Sequence, residues 1–465
     1  MKSERAWAIE SFGHAELGDE RRTRRLVGMA RRAARSPAGR VTEVFCQPAE
    51  RQAAYDFLEH EAVSADAVSE ALFGATAKLS RRQDRVFVVL DGTSLSLSDR
   101  DGAKEFGSLG PGYKNGKGLK VLNALALTQE GAAVGVADQI WWCRPDFVPG
   151  KRRYQAVTAR ESIHWRNAVD RIAARYAKDA PRTKLHFLAD REFDASLLLK
   201  HLVRAGHEFT IRSNATRKAI LRSRPCKLRP ILGRQPVLAR MSVDLSASAK
   251  RDARRVTLDI RAVRLPLRLR DRVTKDGPVM RLTVVWAVER GRMAASERVD
   301  WMLITNTEVT TAHEACAVVR RYAYRWRIED FHKTWKSGHC RVEDTQLRSP
   351  RAVIKWATIL AAVAGRVERL RYRYRHEPEV LATEEFTVGE IEAVVFLKNE
   401  DRREKLIAHR DLSLQEVVRW IADLGGYVGG RRNPHPGATT ISRGLEKVLF
   451  AAELFRKLRE QGLLR

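Results

Sequence analysis

Two short apolar runs, each followed at once by an aspartate, restrict the possible folds more than any other feature of the sequence. Residues 85–90 read RVFVVL and precede Asp91, and residues 184–189 read KLHFLA and precede Asp190. Short runs rich in β-branched and aromatic residues predict buried strands. In open α/β sheets, ligands collect at the carboxyl ends of such strands, where both aspartates would lie. A single aspartate after a strand is also common as a turn or cap residue.

The pattern around these two runs predicts an α/β chain. Because strands and helices alternate between about 164 and 212, a mixed α/β sheet is favoured. In chain order the pattern predicts strands at 120–127 and 131–142, a helix at 164–180, a helix at 197–205, a strand at 208–212, a β-rich block at about 214–306 and one long helix at 311–337. We therefore expect a helical domain over 1–73, an α/β region over 74–350 and a helical region over 351–465.

The chain is strongly basic. Its 465 residues include 86 Lys and Arg against 57 Asp and Glu, which gives a formal charge of +29 and predicts a polyanionic partner. The segment from Asp19 to Arg25 predicts a helix start followed by a basic helical face. Such a face is either merely solvated or binds phosphates, and the overall charge favours phosphates.

Several classes of protein are excluded at this stage. The five cysteines are far apart and form no CxxC pair, so we predict neither a disulfide framework nor a zinc knuckle. No apolar segment of a signal peptide follows Met1, and the longest apolar stretch, 356–365, is too short to span a bilayer. We expect a cytoplasmic protein in which this stretch is a buried helix.

The long helix predicted at 311–337 carries a polar and aromatic face. The side chains of this face recur at steps of three or four residues, so all of them lie on one side of the predicted helix. They are Tyr322, Arg325, Glu329, His332 and Lys336. Aromatic rings beside Arg and Lys suit a nucleic-acid groove, in which rings stack on bases and cations hold phosphates.

Glu329 adds a third carboxylate to Asp91 and Asp190. Oxygen ligands of this kind bind Mg²⁺ or Mn²⁺, and a pair of such ions serves phosphodiester chemistry. Without metal, three clustered carboxylates would repel one another. The three acids therefore predict a site for two divalent cations.

The motif Tyr322-x₂-Arg325-x₃-Glu329-x₆-Lys336 resembles the Y-R-E-K signature of the bacterial DDE transposases of insertion-sequence family four. The strings DGTSLS from Asp91 and ADRE around Asp190 are similar to the surroundings of the first and second acids in that family. The segments 17–19, LGD, and 424–426, LGG, match further landmarks of the family. The resemblance covers nearly the full chain and is strongest to the group that cleaves DNA through hairpins.

The resemblance implies a ribonuclease-H-like mixed sheet with a β-rich insertion at about 214–306. It also implies that residues 1–73 bind the transposon ends and that residues 351–465 mediate dimerisation. The expected partners are double-stranded DNA, both terminal repeats and target DNA, and a second copy of the chain in a synaptic homodimer. The expected cofactor is a pair of Mg²⁺ ions, which Mn²⁺ can replace.

The resemblance also implies roles for individual residues. Asp91, Asp190 and Glu329 are the expected catalytic metal ligands. Trp326 is the expected stacking platform for a flipped base, and Trp301 occupies the wedge position of the family, although a core tryptophan is the alternative for it. The implied DNA contacts are Arg21, Arg22, Arg25, Arg212, Trp301, Tyr322, Arg325, Trp326, Lys333 and Lys336.

The sequence departs from the family pattern at a few positions. Asn123 or Leu122 stands where the family often has a histidine, and neither has an assignable role. Arg24 has no basic counterpart in the family and is left out of the predicted contacts. The basic segments 216–235 and 251–272 are expected to make salt-sensitive, non-specific contacts to DNA.

The expected function is cut-and-paste DNA transposition, in which strand cleavage, hairpin formation and strand transfer use one site. Two alternatives stay open. One is a structure-selective nuclease on the same fold that performs no strand transfer. The other is a catalytically silent DNA-binding inhibitor of transposition, against which the complete acidic trio and the N-terminal arginines argue.

Overall fold

The chain forms two compact units in a computed structural model. The first comprises Met1–Arg82, Gly92–Gly150 and Arg327–Arg465, and the second comprises Gln83–Asp91 and Lys151–Trp326. The structure describes residues 4–99, 103–110, 116–144, 161–214, 217–245, 254–269, 277–291, 298–399, 411–430 and 435–463. Parts of the predicted basic segments 216–235 and 251–272 lie outside these ranges.

The strands and helices of the described residues follow the predicted order. The strands are β1 (Arg85–Ser96), β2 (Gly107–Ser108), β3 (Lys117–Leu127), β4 (Ala133–Trp142), β5 (Lys184–Ala189), β6 (Glu208–Arg212), β7 (Lys218–Leu221), β8 (Arg224–Lys227), β9 (Ala239–Leu245), β10 (Arg254–Arg268), β11 (Val279–Glu289) and β12 (Asp300–Thr305). The helices are α1 (Glu4–Phe12), α2 (Glu20–Arg35), α3 (Val41–Val44), α4 (Pro48–Glu59), α5 (Ala65–Ser80), α6 (Ile163–Asp179), α7 (Ser196–Arg204), α8 (Leu228–Gly233), α9 (Ala312–Ala323), α10 (Trp326–Lys336), α11 (Pro350–His376), α12 (Val388–Lys398), α13 (Leu414–Leu424) and α14 (Ala438–Glu460).

The second unit is built on three parallel strands. β1 pairs with β5 from Arg85 opposite Lys184 to Leu90 opposite Ala189, and β5 pairs in turn with β6. The connection from β5 to β6 includes α7, since parallel neighbours need a crossover. Nearly continuous burial along β1 and β5 is typical of parallel strands that are covered on both faces.

The predicted β-rich insertion extends this sheet. β12 pairs antiparallel with β6, with Leu303 opposite Arg212, and β11 and β10 follow as long antiparallel neighbours. β7 and β9 both pair with β10, and β8 pairs with β7. The insertion therefore adds strands to the sheet beyond β6.

The first unit contains the antiparallel strands β3 and β4, with β2 paired to β3. β1 runs through the boundary between the units, because its first seven residues belong to the second unit and its last five to the first. The strands form one mixed sheet in the order β2-β3-β1-β5-β6-β12-β11-β10-β7-β8, with β4 on β3. This mixed α/β architecture, with helical N- and C-terminal regions, confirms the predicted ribonuclease-H-like fold class.

The single long helix predicted at 311–337 is wrong, because the chain forms two helices there. α9 ends at Ala323 and α10 begins at Trp326. The amides of Tyr324 and Arg325 donate to the carbonyls of Arg321 and Tyr322, three residues back, at 3.1 and 3.0 Å. These tighter bonds replace the i→i−4 pattern and interrupt the helix.

The N-terminal and C-terminal segments of the first unit are mainly helical. The apolar stretch 356–365 lies in α11 and is buried, as predicted. Side chains of α11, α12, α13 and α14 form a common hydrophobic core. No helix among the described residues is long and apolar enough to cross a membrane.

All five cysteines lie within described residues, and none forms a disulfide, in agreement with the sequence-based expectation. The two compact units divide the chain differently from the three predicted domains, because the first unit combines N-terminal, central and C-terminal segments. The predicted boundaries near 73 and 350 are functional divisions and stay a prediction.

Candidate active site and nucleic-acid interface

Asp91 and Asp190 lie on two adjacent parallel strands, directly after the point where the pairing of those strands ends. Their predecessors Leu90 and Ala189 are register partners, so each aspartate is the next residue along one of two adjacent parallel strands. Neighbouring strands are about 4.8 Å apart, which brings the backbones of the two aspartates close to each other. β1 itself does not end at Asp91 as predicted but continues to Ser96; what ends there is its pairing with β5.

The loop after β5 fixes the backbone at Asp190. This aspartate is the N-cap of a short 3₁₀ helix, Arg191–Phe193, and its Oδ1 accepts a hydrogen bond from the amide of Glu192 at 2.7 Å. One carboxylate oxygen of Asp190 thus has the role of a helix cap, which was the alternative interpretation of this residue. A cap of this kind leaves the carboxylate with further acceptor positions.

Glu329 lies in the first turn of α10 and is exposed. Lys333, one turn later, is the other exposed residue of α10. The two are at i and i+4, so they share one face of the helix. The side chains on the other faces of α10 pack into the first unit, and the contacts that they make determine how the helix is held.

A chain of buried hydrogen bonds holds α10 at His332. The Nε2 of His332 lies 2.9 Å from the Nδ2 of Asn123 on β3, and the Nε2 of Gln139 on β4 donates to the Oδ1 of Asn123 at 2.7 Å. The hydroxyl of Thr358 donates to the Oε1 of Gln139 at 3.3 Å and lies 3.2 Å from that of Ser69. The chain joins α10 to β3, β4, α11 and α5.

The direction of these hydrogen bonds determines that the Nε2 of His332 carries no proton. Because Gln139 donates to the oxygen of Asn123, the amide nitrogen of Asn123 donates to His332, whose Nε2 must accept. Burial, with a smaller effect from Lys336, lowers the pKa of His332 to about 3. His332 is therefore neutral, and its bond to Asn123 helps to hold α10 in place.

The opposite side of α10 contacts α11. The hydroxyl of Thr334 donates to the Oε1 of Glu368 at 2.5 Å, and Arg371 lies between Glu368, at 2.9 Å, and Asp330, at 3.3 Å. Burial raises the pKa of Glu368 despite the neighbouring guanidinium. These buried pairs fix the orientation of α10 about its axis.

Lys336 joins the end of α10 to β1. Its Nζ donates to the hydroxyl of Thr93 at 3.3 Å and lies 3.6 Å from a carboxylate oxygen of Glu343. The same carboxylate accepts the amide of Ser96 at 2.8 Å. Lys336 thus contacts the strand that carries Asp91, two residues beyond that aspartate.

Four of the predicted DNA contacts form one cluster in the second unit. The ring of Trp301 meets those of Tyr322 and Trp326 edge to face, at 5.4 and 5.3 Å between centroids. The guanidinium of Arg325 lies 6.0 Å from the Tyr322 ring and 5.9 Å from the Trp326 ring. The helix break therefore brings together residues of α9, α10 and β12.

Two members of this cluster are buried. Trp301 is 4% exposed and Tyr322 is 3% exposed, and both belong to a hydrophobic core of the second unit. Burial raises the pKa of the Tyr322 hydroxyl, so it is a neutral hydrogen-bond donor at neutral pH. In this structure Trp301 occupies a core position, which was the alternative to a wedge.

Arg212 lies at the end of β6, opposite Leu303 on β12. Its Nη2 donates to the carbonyl of Asp300 at 3.1 Å, which places its guanidinium at the start of β12. Trp301 follows Asp300 directly in the chain. Arg212 is thus near the aromatic cluster in the fold, and its contact with DNA stays a prediction.

The four arginines at the start of α2 divide into two groups. Arg21, Arg24 and Arg25 are exposed, whereas Arg22 is half-buried and its Nη1 donates to the carbonyl of Leu17 at 3.0 Å. The sequence interpretation included Arg22 and left Arg24 out. The exposed face of the helix contains Arg24 instead, and no signal in the sequence separates these neighbours.

The sequence interpretation also missed a buried aspartate next to the predicted site. Asp194 follows the 3₁₀ helix after Asp190 and forms an ion pair with Arg217, whose Nε lies 3.0 Å from its Oδ2. The same oxygen accepts the amide of Asn214 at 2.7 Å. These bonds tie the loops after β5 and β6 together, and only their contact in space reveals the role of Asp194.

The donor set fits a hard divalent cation only in part. Asp91 and Asp190 follow the register partners Leu90 and Ala189, and carboxylates are the ligands that Mg²⁺ and Mn²⁺ prefer. Among the residues that the structure describes, no group of three or more His, Cys, Asp or Glu side chains is arranged to hold a metal ion. Glu329, the third ligand that the sequence predicts, belongs to the other compact unit, and its part in a metal site stays a prediction.

Comparison with protein families gives two matches. Residues 4–63 match the family described as Transposase DNA-binding, and residues 153–364 match the family described as Transposase DDE domain. The first match contains α2 with its exposed arginines. The second contains Asp190 and Glu329, whereas Asp91 precedes it.

Proposed function

We propose that this chain, which is a DDE transposase with an N-terminal transposase DNA-binding domain, moves DNA by a cut-and-paste route through hairpin intermediates. That it binds DNA and is a phosphoryl-transfer enzyme follows from the two family matches. The hairpin route and the assignment to insertion-sequence family four are the proposal. The observation that carries it is that Asp91 and Asp190 directly follow the register partners Leu90 and Ala189, in a chain that presents Glu329 on the exposed face of α10.

DDE transposases generally use divalent metal ions. For this chain we propose two Mg²⁺ ions, replaceable by Mn²⁺, held by Asp91, Asp190 and Glu329. When bound, such ions activate the attacking oxygen and stabilise the leaving one. The contact between Lys336, two turns after Glu329, and Thr93, two residues after Asp91, supports this assignment.

Each chemical step is an in-line displacement at phosphorus. A water molecule first attacks a phosphodiester at the transposon end, which forms one P–O bond and breaks another to release a 3′-hydroxyl. That hydroxyl attacks a phosphodiester of the opposite strand, which forms the hairpin and breaks the P–O bond to the flanking DNA, so that this DNA leaves with a 3′-hydroxyl. A second water then reopens the hairpin and releases the 3′-hydroxyl of the transposon end. The 3′-hydroxyl then attacks target DNA. Every step is the same type of displacement, so one acidic site with its bound metal ions could perform all of them.

The remaining predicted residues position the DNA. Tyr322, Arg325, Lys333 and Lys336 would bind phosphates near the flipped base, and Trp326 would stack on it. The contacts of Arg325 with two aromatic rings support a planar cation prepared for this role. Lys333 is exposed and therefore accessible to a phosphate.

Trp301 and Arg212 form a second group in the proposal. We propose that Trp301 replaces the lost base stacking when a base is flipped, while Arg212 contacts the neighbouring backbone. Because Trp301 is 4% exposed in this structure, the wedge role requires the aromatic cluster to open when DNA binds. Its edge-to-face contacts with Tyr322 and Trp326 are the ones that must be exchanged.

The test of the acidic assignment is a cleavage assay on DNA that carries the inverted repeats flanking the coding region. Asp91→Ala, Asp190→Ala and Glu329→Ala should each abolish cutting and leave binding to the ends intact. Glu343→Ala is a matched control, since this carboxylate contacts Lys336 but is outside the proposed trio. Strand cutting that persists in any of the three variants would refute the assignment.

The same assay separates the alternatives. A labelled transposon end incubated with Mg²⁺ and target DNA should yield hairpins and then joined products. A structure-selective nuclease would cut and never join, and a silent inhibitor would bind without cutting.

We also propose a homodimer in the synaptic complex, formed through the C-terminal helices. Phe450 and Leu454 on α14 are 69% and 44% exposed, and Phe396 on α12 is 62% exposed, which leaves apolar surface for a partner. Phe450→Ser should lower the dimer fraction in sedimentation of the DNA complex. An unchanged dimer fraction would place the interface elsewhere.

A further inference from the structure

A basic concavity of about 620 Å³ lies between α2, near the N-terminus, and α14, near the C-terminus. Its floor includes Gly28 in the middle of α2, and a side chain added there would meet nothing within 4 Å. The open floor allows a ligand to approach the helix backbone closely. The cations that line it are Arg21, Arg24, Arg25, Arg31, Arg32, Arg35 and Lys457, and the carboxylates are Glu50 and Glu453.

The cations at the inner end of the concavity are paired. Arg31 and Arg35 both contact Glu4 and Glu453, and Arg32 lies 2.7 Å from a carboxylate oxygen of Glu50. These charges are mutually compensated, so they attract an external anion weakly. They hold the surrounding elements together instead.

The outer end of the concavity differs. Arg25 and Lys457 are exposed, and neither has an ion-pair partner among the residues that the structure describes. Arg21 and Arg24 pair only with Asp19 and Glu20 of their own helix start, at 3.7 Å, with side chains that are 85% and 69% exposed. Exposed pairs of this kind are weak and exchange readily for another anion.

Glu453 determines where Lys457 lies. Its carboxylate contacts Arg35 at 3.3 Å and Arg31 at 3.8 Å, and hydrogen bonds from Arg456, followed by the neighbouring arginines, lower its pKa to about 2. It therefore stays ionised and keeps this part of α14 against α2. Lys457, four residues later, shares its face of the helix and lines the same concavity.

We propose that Arg25 and Lys457 together form a binding site for a backbone phosphate of duplex DNA, with Arg21 and Arg24 at its rim. The C-terminal helix α14 is then part of the surface with which the N-terminal helix α2 binds DNA. Lys457 adds a cation that no N-terminal residue supplies, so the DNA-binding surface is incomplete without the end of the chain. Glu453 is its positioning residue. This inference rests on the proposed binding of DNA by α2.

The test is binding of the full chain to a fluorescent duplex of random sequence, measured by anisotropy over a series of salt concentrations. Phosphate contacts are independent of sequence, so a random duplex reports them. Lys457→Gln should weaken binding several-fold and reduce the slope of log K against log salt by about 0.9, the loss of one phosphate contact. Arg443→Gln is the matched control, because Arg443 is an exposed cation of α14 that does not line the concavity.

The Arg25→Gln variant separates this inference from the function on which it rests. If Arg25→Gln weakens binding and Lys457→Gln does not, α2 binds DNA without α14 and the inference is wrong. If neither changes binding, binding of DNA through α2 fails as well. Tighter binding by Lys457→Gln would show that α14 obstructs the DNA, which also overturns the inference.

A double variant tests whether the two cations hold one phosphate. If they share it, Arg25→Gln and Lys457→Gln combined should cost less than the product of the single fold-changes. Fully multiplicative losses would assign the two cations to separate phosphates and contradict the shared site. Both side chains are exposed, and unchanged circular dichroism confirms that the variants are folded.

Discussion

Helices α10 and α2 carry most of the predicted functional residues. Most polar side chains of α10 are bonded to other protein groups, whereas those at the start of α2 are mainly exposed. On α10, Asp330, His332 and Thr334 are bound by other protein groups, and the two exposed residues are Glu329 and Lys333. At the start of α2, Arg21, Arg24 and Arg25 are exposed, and the ion pairs of Arg21 and Arg24 are weak. α10 is fixed so that a few groups are held in place, whereas α2 presents charges that are free to adapt to a phosphate backbone.

The difference matches two chemical tasks. A catalytic carboxylate has to be held within a fraction of an ångström, which requires the surrounding helix to be locked by buried contacts. Sequence-independent binding to phosphates needs only cations at the right spacing, and exposed side chains meet that need. Substitutions of the exposed residues of α10 should therefore lower activity, and substitutions of its buried residues should lower stability. Substitutions of the exposed residues of α2 should lower the affinity for DNA.

The largest effect is expected for Glu329→Gln. This exposed side chain can be replaced with little effect on folding, as for most surface positions. The rate of cleavage should fall by more than about 100-fold. This exceeds the usual loss when a residue that hydrogen-bonds to a metal ligand is removed, because Glu329 is proposed to be a ligand itself. A cleavage rate and a thermal melt of the same preparation test this. A large drop in melting temperature would show that Glu329 also supports the fold.

His332→Leu should have the converse effect, because it leaves the amide of Asn123 buried without its partner. We expect a loss of about 1–3 kcal/mol in the free energy of unfolding. Urea unfolding of the full chain measures it, with Lys333→Gln as the exposed control on the same helix. Equal stabilities of the two variants would contradict the division of α10 into bound and exposed faces.

The pH dependence of stability gives a further test of the bound face. The folded-state pKa of His332 is about 3, well below the ordinary value of 6.5, so the unfolded chain binds its proton first as the pH falls. This residue should therefore cost about 2 kcal/mol of stability between pH 7 and pH 5. His332→Gln keeps a hydrogen-bond acceptor and should remove that part of the pH dependence. Identical pH profiles for the variant and the parent chain would show that His332 is not held neutral.

The smallest effects are expected on α2. Arg24→Gln should weaken binding to a random duplex several-fold and leave stability unchanged, since this side chain is exposed. Arg22→Gln should spare DNA binding and cost about 1 kcal/mol of stability, because it removes the bond to the carbonyl of Leu17. Anisotropy and urea unfolding of the pair test the contrast, and the reverse assignment would restore the sequence-based interpretation.

The sequence predicted well what depends on local pattern. The runs before Asp91 and Asp190 are the buried strands β1 and β5, because apolar runs of this length pair in the centre of a sheet. The β-rich block between 214 and 306 was also predicted. Its attachment to β6 through β12 was not, since strand pairing over such separations leaves no local signal.

The misses have physical causes of the same kind. The steps of three and four residues continue from Tyr322 to Lys336 as though the helix were unbroken, and only the tightened bonds at Tyr324 and Arg325 interrupt it. The partner of His332 is Asn123, which is remote in the sequence, so the position that departs from the family pattern acquired a role only through its contact in space.

The central claim is that Asp91, Asp190 and Glu329 bind metal together. The most direct measurement replaces Mg²⁺ by Fe²⁺ in the full chain and maps backbone cleavage by the radicals that ascorbate and peroxide generate at the bound iron. We predict cuts close to residues 91, 190 and 329, all suppressed by excess Mg²⁺ and lost together in Asp190→Asn. Cuts confined to the neighbourhoods of residues 91 and 190, with none near 329, would contradict the claim.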